Sequence, residues 1–489
     1  MTIPFNQIPD NLRTPAFMVE HDNSRAVKSS SSPKVAVVIG QRLAAGTVAA
    51  GVLKLISSDA LADSYWGRGS QLARACKAFR AANKYAELWA IALDDDAGGS
   101  AAAGSVLFAG TATEAGTVCL YLAGQRITVA VAKGDAAAAV ATAAAAAVAL
   151  KTDSAATAAV DGVTPEQLNV TARHKGTLGD AIDLRLSYYE GEKLPAGITA
   201  TITAMTGGAT DPGLASAITA LGDMPAHAIV QPYAVAADLT LIEAEMDRRW
   251  DPTVELRGMA YTAANGSQAT MTTLGNGRNS EFNLIMPCNS SPTHPAEVAA
   301  ITAAIDLSES DPARPRQTLE LVGMLAPAHA DRWTATERNV LLFDGIATFT
   351  ADSGGKCRVE RLITTYQKNP LGVDDPSYLD VTTVHTLSSM RGDVRDLFRL
   401  RYPRHKLADD GTDFAPGQPI MTPSVARAEI LALARETWVR DGRLEGYEQF
   451  KTDLLIERSA TDTSRLDGQL VPNLVNGFRV GAFQLQFLL

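Results

Sequence analysis

The apolar and polar positions of the chain change period several times, and each change marks an expected element. Residues 35–39 (VAVVI) are an unbroken apolar run, the pattern of a strand buried on both faces of a parallel sheet. Leu72, Ala75, Cys76, Phe79 and Ala82 then recur three and four apart, which places them on one stripe of a helix that Ser70 can cap. A second buried run, residues 88–93 (LWAIAL), is closed by the turn-forming residues 94–100. Strand, helix and strand in this order predict an α/β layer.

From about residue 101 the period shortens. Residues 105–109, 116–123 and 125–132 read as short strands, with Gly124 in a tight turn. Residues 168–173, 183–188 and 198–203 alternate apolar and polar side chains as half-buried strands do. Between the two groups lies an alanine-rich helix at 136–150, shorter than the ~18–20 apolar residues a membrane span requires. The α/β alternation then resumes. Helices are expected near 212–221 and 239–249, and strands at 228–232, 255–261 and 283–286. Pro295 suits a first helical position, Thr334 to Glu337 matches a capping box, and 346–351 with 356–366 reads as a hairpin. After Pro376, Val381, Val384, Leu387, Val394 and Phe398 share one face of a long helix. A second helix starts at Thr422 and Pro423, carries Ile430, Leu431, Ala434 and Trp438, and stops near Gly442. Residues 453–458 and 478–489 are strand candidates.

The pattern divides the chain into a linker arm at 1–30, an α/β domain at 31–100 and 206–375, a β-rich insertion at 101–205, a C-terminal region at 376–477 and a final strand at 478–489. Pro4, Pro9 and Pro15 keep the first segment extended, with Phe17 and Val19 in a short strand. In the last segment Phe483, Leu485 and Phe487 share one face, and Gly481 lies where the phase flips from Phe478 and Val480. Such ends either add strands to sheets of neighbouring copies or fold back on their own domain. Strand exchange that does not close on itself generates a helical filament.

Composition narrows the function classes. With 46% apolar and 20% charged residues among 489, the chain suits a folded protein, and its net charge of −10 disfavours nucleic acid as a general partner. The four cysteines are far apart and read as small buried hydrophobes. No two of the seven histidines stand at metal-binding spacing, and no phosphate-loop, dinucleotide or nucleophile-elbow motif occurs. Asp94, Asp95 and Asp96 read as a solvated loop, and the basic run from Arg399 to Lys406 as a protein contact or solvated surface. The opening residues lack a basic segment followed by an apolar run, so they are not expected to act as a secretory signal. The expectation is no catalytic residue, no cofactor and no metal.

Several segments carry a family likeness. They include Ile8-Pro-Asp-Asn-Leu-Arg-Thr-Pro15, Val37-Val-Ile-Gly-Gln-Arg-Leu-Ala-Ala-Gly46, Gly67-Arg-Gly-Ser-Gln-Leu-Ala-Arg74, Thr171-Ala-Arg-His-Lys-Gly176, Asp396-Leu-Phe-Arg-Leu-Arg-Tyr-Pro403 and Pro472-Asn-Leu-Val-Asn476. In these the chain resembles the contractile tail sheath proteins of Mu-like phages over nearly its whole length. The resemblance implies a subtilisin-like α/β core without a protease triad, an inserted outer module, a C-terminal α+β domain and linking arms. It implies hexameric rings stacked around a tail tube protein, bounded by baseplate and tail terminator proteins. Contraction would drive the tube through the host envelope, with neither nucleic-acid binding nor membrane insertion. The protein would be assembled in the host cytoplasm and reside in the virion tail. Phe17, Val19, Phe478, Val480, Phe483, Leu485 and Phe487 would be the inter-subunit strands, and Arg427, Arg435 and Arg440 are candidates for tube contact. Two alternatives stay open: the sheath of a related injection machine, such as a tail-like bacteriocin or type VI apparatus, and a serine hydrolase on the same scaffold.

Overall fold

A computed structural model describes residues 34–415 and 417–488. The expected strand with Phe17 and Val19 therefore lies outside the described residues.

The centre is a six-stranded sheet in the order Asn283–Pro287, Met259–Ala264, Ala228–Val230, Val35–Gln41, Glu87–Leu93 and Leu53–Leu55. The first five strands are parallel and the last is antiparallel. The unbroken apolar runs follow from burial on both faces. Ala36 and Val38 enter one core, with Leu72, Cys76 and Phe79 of helix Gln71–Ala82 and Ile301 of helix Pro295–Ser308. Val37 and Ile39 enter the other, with Ala217 of helix Ala215–Leu221 and Ile242 and Met246 of helix Ala236–Trp250. Helices cover both faces, so the α/β expectation holds.

Residues 101–206 form two antiparallel sheets. One has the order Ile198–Thr206, Ala101–Gly110, Gln167–Lys175 and Ala156–Val160, and the other Gln125–Val131, Gly116–Leu122 and Leu184–Leu186. Helix Ala137–Leu150 packs with them. Val140, Ala144 and Val148 meet Val106, Phe108, Leu120, Val129 and Val170 in a core of their own. Gly124 has φ 77° in the turn between Leu122 and Gln125, a conformation glycine adopts without strain.

The hairpin Thr348–Ala351 with Lys356–Arg361 is joined by strand Glu320–Leu325. The 21-residue helix Val381–Arg401 leads into a smaller core of Met390, Leu397, Ile430, Trp438 and Phe450. Helix Pro423–Leu433 runs on as a π-turn over Ala434–Val439 before Gly442 at φ 68°.

Several strand expectations differ from the structure: the strand expected at 356–366 ends at Arg361, and that at 183–188 spans only Leu184–Leu186. The strand foreseen at 255–261 starts only at Met259, because Glu255 and Arg257 take φ of 56° and 64° and break the extended path. Residues 478–488 form no strand, because among the described residues no other strand lies beside them to complete a ladder.

Candidate assembly interface

The C-terminal segment leaves the body at a defined mooring. Strand Asn473–Leu474 pairs with Leu444–Glu445, and the Val475 amide donates to the Arg443 carbonyl at 3.2 Å. At Gly477 a Cβ would come within 2.8 Å of the Pro315 ring, so the backbone passes where only glycine fits. Gln317 Nε2 then donates to the Phe478 carbonyl at 3.1 Å. Arg479 reaches Asp380 at 2.8 Å, and Arg361 grips the same carboxylate through Nε at 3.0 Å and a terminal nitrogen at 2.9 Å. Two guanidinium groups on one half-buried carboxylate fix the root of the tail.

Past this clamp the chain meets little of its own body. Phe483 is 93% exposed and Leu485 92%, while Phe478, Val480 and Phe487 are also exposed. A contiguous apolar segment held in water is the mark of an unmet partner. The alternation of these side chains is visible in the sequence. The clamp of Arg479, Asp380 and Arg361 is not, because the three residues come together only in the fold.

Of the three arginines singled out for tube contact, Arg427 faces inward, donating to the Leu454 carbonyl at 3.3 Å and to that of Lys451. It thereby satisfies the carboxyl end of helix Tyr447–Asp453. Arg435 is exposed, and Arg440 is exposed with only Asp441 beside it at 3.2 Å.

One polar cluster has the residue types of a catalytic site. The chain crosses from one side of strand Val35–Gln41 to the other, and ligands of doubly wound proteins bind beyond the strand ends at such a switch point. Here Gln41, Gln71 and Asp95 fill it together with His174 and Lys175. His174 Nδ1 contacts Asp95 at 2.8 Å, and its Nε2 accepts the Gln71 amide at 3.1 Å. Gln41 Nε2 donates to Asp95 at 2.9 Å and to the Lys175 carbonyl at 2.7 Å. An imidazole whose Nε2 lone pair already holds a backbone proton cannot serve as the base for a serine. The cavity left beside it measures about 30 Å³, the scale of a water molecule or two. Asp94 pairs with Arg42 at 2.7 Å, and Asp96 accepts the Gly98 amide at 2.8 Å, so this acidic run is already partnered within the chain.

A second cluster is buried deeper. Asp306 accepts from Arg316 at 2.8 Å, contacts His385 at 2.7 Å and accepts from Tyr261. These partners hold its carboxyl well below the usual range despite its burial. It ties helix Pro295–Ser308 to helix Val381–Arg401 and has no open face. Among the described residues no group of three or more His, Cys, Asp or Glu could hold a metal, and no helix is long and apolar enough to cross a membrane.

The phage tail sheath protein central domain matches residues 207–365, and the phage tail sheath C-terminal domain matches residues 373–487. The chain is 40% identical over 496 residues to a Mu-like prophage FluMu tail sheath protein of Haemophilus influenzae, covering 100% of both. Solved sheath tail proteins from Desulfitobacterium hafniense and Listeria innocua align at 12% and 13% identity with TM-scores of 0.48 and 0.49. Those alignments cover 94% and 91% of this chain and 99% and 93% of theirs. On the full-length relative and the two matching domains, the chain belongs to the tail sheath proteins of Mu-like phages and is a structural component of a phage tail.

Proposed function

We propose that the chain is the repeating subunit of a contractile sheath, stacked as hexameric rings around a tail tube between baseplate and terminator, and that it acts without catalysis. In this reading residues 31–100 and 206–375 are the core, 101–205 the outer module and 376–477 the domain that receives neighbouring arms. The observation that carries it is the moored, exposed tail. Its alternate apolar side chains are arranged for strand addition, and the described residues of its own chain offer them no ladder. An acceptor is at hand on another copy: the hairpin Leu455–Arg458 with Leu466–Gln469 is two-stranded, and both of its outer edges are unpaired among the described residues. A two-stranded hairpin gains from each strand added to it.

Contraction then needs no nucleotide. The extended sheath is a kinetically trapped state, and shortening is driven by the free energy of the new interfaces each copy makes, small singly and large when summed along the polymer. Packed domains move as bodies while the arms flex. Arg435 and Arg440 remain the candidates for the tube-facing surface. The deciding experiment is electron microscopy of the purified chain with and without residues 478–489. Full-length protein should form tubes or rings. The truncated chain should stay folded, by circular dichroism and melting temperature, yet fail to polymerise. Tubes from the truncated chain would refute tail-mediated linkage.

A further inference from the structure

The four-stranded sheet of residues 101–206 ends on two uncovered strands, and both lack the usual guards. Ile198–Thr206 pairs only with Ala101–Gly110, and Ala156–Val160 only with Gln167–Lys175, among the described residues. Alternate backbone N–H and C=O groups of each therefore point away from the sheet. Open edges are normally blunted with lysine, proline or a bulge. No charged residue occurs between Lys193 and Asp211, nor between Asp153 and Asp161, and neither strand contains proline. The bulge in the first strand falls beyond Thr203, leaving Ile198 to Thr203 in regular register; the second strand is regular over its five residues, Ala156 to Val160. Thr199, Thr201, Thr203 and Ala204 are exposed, as are Thr157 and Ala159 at the other edge.

The sense of the strands matters more. All three pairings in this sheet are antiparallel, and the sheet has an even number of strands. Its two outer strands consequently run in opposite directions. A second copy set beside the first in the same orientation would bring one edge against the other as an antiparallel pair, continuing the alternation unbroken. The side chains agree. Ile202 lies opposite Val106 and Val160 opposite Leu168, so both belong to the core-facing side, yet Ile202 is 37% exposed and Val160 half-buried for want of a neighbour. A self-paired edge would need a two-fold axis, which a head-to-tail polymer does not have between successive copies.

We propose that these modules pair edge to edge in the assembled sheath, Ile198–Thr206 of one copy against Ala156–Val160 of the next. The inference rests on the polymeric reading above and adds a contact distinct from the tail. The test uses the full chain carrying both Thr201→Cys and Ala159→Cys, two positions on the outward face. All four native cysteines are buried, so the introduced thiols are the accessible ones. A short bismaleimide added to assembled particles should give a ladder of joined copies on a denaturing gel, and either single variant should give none. Adding Ile202→Lys should abolish the ladder without changing the melting temperature. Particles that form without a ladder, or a ladder that survives Ile202→Lys, would overturn edge pairing and leave tail-mediated assembly standing. Failure to form particles at all would instead remove the polymeric reading itself.

Discussion

His294 shows how much one side chain can hold. It precedes helix Pro295–Ser308, where its Nδ1 accepts the Ala296 amide at 3.2 Å and its Nε2 donates to the Leu178 carbonyl at 3.0 Å. Only the neutral ring can do both. Burial, reinforced by the Arg74 guanidinium, lowers its pKa from 6.5 to about 3. The unfolded chain therefore takes up a proton that the folded chain refuses as pH falls below 6.5. Above that value the group contributes nothing to the pH dependence. Between there and about 3 it withdraws stability, with a slope of up to about 1.4 kcal/mol per pH unit. His294→Gln keeps an acceptor and a donor but does not titrate. Melting curves from pH 6.5 down to about 4 should accordingly fall less steeply for the variant; an identical slope would contradict this. From residue spacing alone the histidines read as surface or satisfied core residues. The Leu178 carbonyl that satisfies His294 Nε2 stands 116 residues away, and the Gln71 amide that satisfies His174 Nε2 stands 103, distances no local pattern spans.

Elements whose cause is local were legible. The capping box at Thr334 and Glu337 is one: the Glu337 amide donates to Thr334 Oγ1 at 3.3 Å, and the Thr334 amide to Glu337 Oε2 at 2.7 Å. Thr334→Ala should cost about 1 kcal/mol. That loss should appear as faster amide exchange in the first turns of helix Ala335–Phe343, with the six-stranded sheet unaffected; unchanged exchange would show the cap to be idle. Pro295 at the head of its helix and the hairpin at 348–361 were readable for the same reason. Residues 478–488 were not, because a strand is a property of two segments and the sequence shows one. Helices Asp59–Trp66 and Gln268–Asn276 show no visible period, because the first buries only the side chains of Ala62 and Trp66 and the second only that of Met271.

At the scale of the whole molecule, the α/β class could be read from the apolar runs, while the order of the sheet could not. Strand Ala228–Val230 returns to pair with Val35–Gln41 only after the entire run of residues 101–206. The position most open to chemistry, the end of strand Val35–Gln41, is closed by His174 and Lys175 of that run, with Gln41 of the strand donating to the Lys175 carbonyl. The surface is where consequences lie. Arg435→Glu with Arg440→Glu should weaken co-assembly with tube protein in a sedimentation assay while leaving the melting temperature in place, since neither arginine is buried. Undiminished co-assembly would move the tube-facing surface elsewhere.

The clamp at Arg479 carries a mechanical meaning. Asp380, which it grips, is the residue at the head of the 21-residue helix Val381–Arg401. A cable tied to the end of a stiff rod transmits tension as torque. In the contractile sheath proposed above, the pull of a shifting neighbour would arrive at one carboxylate and swing the rod, gearing each stroke to the one before it.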